Sequence, residues 1–143
     1  ADDVAGVEGA EVENGGLRLG ADSLFDLGKA ALKDGEGDRI PVLDDVAAML
    51  KDRYPGQKII VEVYTGNEPL EEAREGHQYN IQLGLQRAAN VFKYLNLKHG
   101  IPEERVAIFS SGTGQLPGAE TAGSLQPNGK NRRVGFRLSA HSY

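Results

Sequence analysis

Residues 79–100 read YNIQLGLQRAANVFKYLNLKHG, the longest helical pattern in the chain. Ile81, Leu85, Ala88, Phe92 and Leu95 recur at steps of four and three, which predicts one apolar helix face turned to a core. Asn80 is the expected N-cap, since its side chain can accept from an orphan N–H of the first turn. Gly100 followed by Pro102 is the stop signal. Beside the core stripe runs a second line: Asn80, Arg87 and Tyr94, spaced by seven, about 10 Å per step. Arg87 carries the most chemistry on that line.

Working outward, residues 58–64, KIIVEVY, form the best strand pattern. Ile59, Val61 and Val63 face one side and Ile60, Glu62 and Tyr64 the other, so a largely apolar strand is expected at the centre of a sheet. Before it, Pro41 suits a first helical turn, and Val42, Leu43, Val46, Met49 and Leu50 make an amphipathic stripe that Pro55-Gly56 ends. Residues 17–19 and 106–109 are short strands. Residues 132–138, RRVGFRL, alternate as the last one. Leu24 and Phe25 anchor a loop, and residues 30–33 are expected to add one helical turn. Residues 66–78 and 110–131 read as polar connections. The order βαβαββ predicts an α/β fold, an α+β two-layer sandwich: a mixed sheet with two main helices packed on one face. Expected domains are a flexible arm or linker over 1–16, the folded unit over 17–139 and a tail over 140–143.

Composition narrows the function. At 143 residues with 39% hydrophobic and 26% charged residues, the chain suits a single soluble core. The net charge of −5 argues against a general nucleic-acid binder. The lack of cysteine removes thiol catalysis and thiolate metal sites. His77, His99 and His141 have no metal-ligand spacing and read as surface residues. Gly112-Thr113-Gly114 is too short for a phosphate loop, and no nucleophile elbow or HExxH is present. No enzyme and no cofactor are expected. No segment is long and apolar enough to span a membrane, and the chain opens on Ala1 without a signal peptide, as a processed or excised piece does.

A resemblance gathers these observations. YNIQLGLQRA resembles the YN-x-x-LG/LS-x-x-RA signature of the OmpA C-terminal family, which includes MotB and the peptidoglycan-associated lipoproteins; its Leu83-Gly84 form is nearest the lipoprotein branch. Four further blocks follow in family order: DSLFDLGKAALK, VEVYTG, SSGTGQLP and NGKNRRVGFRL. The resemblance implies a periplasmic, outer-membrane-associated domain that binds peptidoglycan through the diaminopimelate of the stem peptide. Any membrane attachment would come from a segment or anchor outside this chain. It implies a pocket of Phe25, Asp26, Thr65, Gly66, Asn80, Leu83 and Arg87, with Arg87 taking the ligand carboxylate bidentately. The family's aspartate after the strand threonine is Gly66 here. Glu68, Glu71 and Glu72, in an insertion longer than the family's, are the candidate replacement carboxylates for the ligand ammonium. Two readings therefore stay open: a cell-wall anchor, or a module that has given up the wall and serves an envelope protein partner.

Overall fold

The computed structural model describes residues 11–13, 16–26, 28–33, 39–52, 56–65, 79–112 and 133–142. They form strands β1 (Glu11–Glu13), β2 (Gly16–Gly20), β3 (Gln57–Tyr64), β4 (Val106–Ser111) and β5 (Arg133–Ser142), with helices α1 (Pro41–Asp52) and α2 (Asn80–His99). Sheet order is β1-β2-β5-β3-β4. β3 runs parallel to β4 and antiparallel to β5, which slots between β2 and β3. The expected two-layer mixed sheet is thus present. β3 is interior because both its flanks are paired.

One sheet face carries the core. Leu17, Leu19, Ile59, Val61, Val63, Val134 and Phe136 pack there with Leu43, Val46 and Leu50 of α1 and Ala88, Val91 and Leu95 of α2. Both helices lie on that face. Across the opposite face Arg137 pairs with Glu62, Arg133 stacks 3.8 Å over the Tyr64 ring, and Tyr64 meets Phe109 at 5.8 Å.

Several expectations are corrected. The buried face of α2 is Leu83, Gly84, Arg87, Ala88, Val91, Tyr94 and Leu95. Ile81 and Leu85, expected in the core, are 49% and 45% exposed. The helix has an apolar arc wider than its buried face, and periodicity alone could not choose within it. The N-cap is Tyr79, whose N–H donates to Gln82 Oε1 at 3.0 Å, and Asn80 is the first helical residue. Gly100 is the left-handed C-cap, as expected. Residues 30–33 form no helical turn; Leu32 bridges Phe25 instead. Glu11–Glu13, placed in the arm by sequence, pairs with β2, and β5 runs past residue 139 into the expected tail.

His99 is also no surface histidine. Its Nε2 lies 2.7 Å from Asp44 Oδ1, which also accepts from the Tyr94 hydroxyl at 2.7 Å, while Arg39 stands 3.4 Å from Oδ2. Tyr94 in turn accepts the Ile40 N–H at 2.8 Å, so this cluster ties the start of α1 to the end of α2. Burial pushes the Asp44 carboxyl up, but the hydrogen bonds from Tyr94 and His99 and the charges of Arg39 and His99 outweigh it and hold its pKa below 3.8. Burial first, then Asp44, raises the Tyr94 phenol above its ordinary value and keeps it a donor. A carboxyl depressed on folding contributes stability that is full above its unfolded pKa and lost as pH falls through the folded one. Tyr94→Phe is therefore expected to cost about 1–2 kcal/mol at neutral pH. It should also shrink the stability lost on acidification below about pH 4. Urea unfolding between pH 2 and 7 tests both.

Candidate functional site

The candidate site lies where the C-terminal ends of β3 and β4, the first turns of α2 and residues 25, 26 and 28–30 converge. α2 brings Asn80, Gly84, Arg87 and Tyr94 onto one inner line, at helical steps of four, three and seven. Arg87 is 1% exposed and among the largest fully buried side chains. Its Nε donates to the Lys29 carbonyl at 2.9 Å and its Nη2 to the Asp26 carbonyl at 3.1 Å, with the Phe25 ring 4.9 Å from Cζ. One turn on, Asn90 donates to the Ala30 carbonyl at 2.8 Å. The planar guanidinium thus gathers the 25–30 segment by its backbone, which offsets the desolvation of the buried charge.

The expected residues sort clearly. Phe25, Asp26 and Arg87 are in contact. Phe25 is 1% exposed, whereas the Asp26 carboxylate faces solvent, 3.9 Å from Lys33 Nζ. Thr65 is fully buried at the end of β3, where its hydroxyl donates to the Ser111 and Gly112 carbonyls at 3.3 and 3.2 Å. Its methyl lies beneath Gly84, one turn from Arg87. Asn80 stands half-buried against Gly112. Leu83 is completely buried. Gly66, Glu68, Glu71 and Glu72 lie outside the described residues.

Ser110, expected in a polar connection, lies in β4, where its hydroxyl donates to the Ile81 carbonyl at 2.9 Å. Lys29 and Ala30 serve through backbone carbonyls that no side-chain motif encodes. α2 has no acidic residue in its first turn. The positive end of its dipole and Arg87 therefore both favour an incoming carboxylate. Among the described residues no group of three or more His, Asp or Glu could hold a metal ion, and no helix is long and apolar enough to cross a membrane.

Fold and site together define a two-layer α/β domain built around a buried arginine at the sheet's C-terminal edge. The chain belongs to the OmpA family, whose model matches residues 24–132. Solved structures share the fold. The periplasmic domain of Helicobacter pylori MotB (residues 90–256) is 22% identical with a TM-score of 0.69, covering 93% of this chain and 80% of that one. The cell wall anchor of the T6SS from Pseudomonas aeruginosa is 22% identical with a TM-score of 0.69, covering 94% and 90%. A putative MotB-like protein from Desulfovibrio vulgaris is 23% identical with a TM-score of 0.68, covering 94% and 80%. Identities this low define the fold and not a branch of the family. Comparison with curated proteins gives no match.

Proposed function

We propose that this chain is a non-catalytic domain of the bacterial cell envelope that holds peptidoglycan non-covalently through the diaminopimelate of its stem peptide. The carrying observation is Arg87, a buried cation fixed within hydrogen-bonding distance of the backbone of Asp26, whose carboxylate is exposed. Diaminopimelate presents a carboxylate and an ammonium on one carbon. Its receptor needs a cation and an anion side by side. Arg87 and the start of α2 supply the positive side. With Gly66 in place of the family's aspartate, we assign the ammonium to Asp26, whose backbone carbonyl Arg87 holds and whose carboxylate is exposed. Family membership supports this reading, as do fold relatives described as a cell wall anchor and as periplasmic domains. Periplasmic, outer-membrane-associated residence belongs to the same proposal.

Asp26→Asn is expected to weaken binding of a diaminopimelate stem peptide about tenfold, the worth of one hydrogen bond to a charged group. Stability should move by less than about 1 kcal/mol, because the exposed Asp26–Lys33 pair contributes little. Calorimetric titration beside a urea melt reads both. Unchanged affinity would remove Asp26 from the site.

The second reading, a module that has lost the wall and docks an envelope protein partner, is favoured by Gly66 and by exposed apolar side chains. Ile81 and Leu85 of α2 are 49% and 45% exposed, and Ile108 of edge strand β4 is 42% exposed. A groove of about 260 Å³ between these elements is lined by Ala89, Phe92, Glu103, Val106 and Ile108. On this reading the natural chain ignores the stem peptide, and Gly66→Asp restores binding.

A further inference from the structure

We propose that Ser110 is a positioning residue of the ligand site, acting with Gly84 as a clasp that sets where the first turns of α2 lie over the ends of β3 and β4. The inference rests on the reading of that site as the diaminopimelate pocket, but its geometry is independent of the ligand.

The Ser110 side chain occupies the space that a side chain at position 84 would need. A Cβ added to Gly84 would overlap Ser110 Oγ, come within 3.1 Å of Ser110 Cβ and touch Thr65 Cγ2 at 3.4 Å. The same Oγ donates to the Ile81 carbonyl at 2.9 Å, a bond from an edge strand into the opening turn of the helix. Swinging the hydroxyl aside to admit a Cβ would give up that bond. It would still leave the two Cβ atoms closer than packed carbons sit. Two residues further on, Gly112 lies against the same turn: a Cβ there would sit 3.1 Å from Ile81 N and 3.3 Å from Asn80 Cβ. Thr65 fastens this end of β4 to β3 through the Ser111 and Gly112 carbonyls.

The consequence is positional. Arg87 is one turn from Gly84 on the same helix line, and Asn80 precedes it by one turn. Lifting the helix off Ser110 moves the ligand-facing groups relative to the Thr65 strand end, while the core contacts of Val91 and Leu95 lie one to two turns further along. A contact at this place governs site geometry more than global stability. Displacements near 1 Å are enough to cost a preorganised site much of its affinity.

The test uses the 143-residue chain and four proteins: wild type, Ser110→Ala, Gly84→Ala and the double variant Gly84→Ala/Ser110→Gly, which moves the side chain to the other side of the contact. Three readouts are taken: titration with a diaminopimelate stem peptide, amide hydrogen exchange of α2, and the urea midpoint. Ser110→Ala should speed exchange at the amides of the first two turns of α2 about tenfold and weaken binding about three- to tenfold. Exchange over residues 91–99 and the urea midpoint should hardly move. Gly84→Ala should do more of the same, and the double variant, which relieves the overlap but lacks the hydroxyl, should recover to about the level of Ser110→Ala.

The clasp is overturned if exchange at the helix start is unaltered in both single variants, or if the double variant is no better than Gly84→Ala. Uniformly faster exchange along all of α2 would also overturn it, because that marks a merely structural contact. If wild type binds no stem peptide, the ligand reading fails, while the exchange data still decide for or against the clasp.

Discussion

Arg87→Met is expected to destabilise the domain by about 3 kcal/mol and to abolish stem-peptide binding. Methionine fills much of the buried volume, so the loss isolates the hydrogen bonds. The Lys29 and Asp26 carbonyls each lose a charged donor; an orphaned buried acceptor costs about 1–3 kcal/mol, and the Asp26 carbonyl still keeps the Lys29 N–H at 3.0 Å. The segment that holds them reaches the surface, where both side chains are exposed. Water and the Lys29 N–H recover part of the loss, which places the expectation in the lower half of the summed range of about 2–6 kcal/mol. Arg87→Lys should lie between, since one ammonium cannot reproduce the fork that spans two carbonyls. Arg87→Ala adds a cavity beneath Phe25 and should be the worst of the three. Urea unfolding ranks them, and all three should also release the 25–30 segment, read as faster amide exchange there.

Arg105→Ala is expected to cost a similar amount, about 3 kcal/mol, with no effect on ligand affinity. Arg105 is 3% exposed. Its Nε donates to the Gln57 carbonyl at 2.7 Å and its Nη2 to the Leu50 carbonyl at 2.8 Å. Leu50 is in the last turn of α1, where carbonyls lack helical donors and the dipole favours a cation. Gln57 opens β3. One side chain thus joins the end of a helix, the start of the interior strand β3 and the entry to β4. Truncation leaves two acceptors unpaired. This junction is at the opposite end of the sheet from Thr65 and Gly112, so Arg105→Ala separates lost stability from lost binding. A urea melt showing less than about 1 kcal/mol of change would mean that solvent replaces the guanidinium without penalty.

The two arginines also show what was legible in the sequence. Arg87 stood out because a signature surrounds it and because Asn80, Arg87 and Tyr94 share a spacing of seven. Arg87 and Tyr94 of that line fasten α2 to Lys29 and to Ile40. Arg105 sits in PEER, which reads as a solvated charge cluster; its burial depends on carbonyls distant in sequence. The same limit explains the misplaced core stripe. Ile81 and Leu85 have the right periodicity, but α2 packs on a sheet that ends at β4, and its apolar arc extends past that edge. Strand β3 was legible because apolar residues fill both faces. β1 was not, since EVE has one apolar residue and takes its form from pairing with β2. The network of His99 with Asp44 and Tyr94 joins segments fifty or more residues apart and has no local signal.

The proposed function stands on recognition of a zwitterionic head group at Arg87. Its most direct test is calorimetric titration of the domain with a diaminopimelate stem peptide, with the matching lysine-type peptide, which lacks the second carboxylate, as the control. Saturable binding in the micromolar range is expected, weakened at least about tenfold for the lysine-type peptide. Arg87→Met should lose binding while Arg105→Ala, measured where it remains folded, keeps it. Equal affinity for the two peptides, or a natural domain that binds neither, would contradict the proposed function.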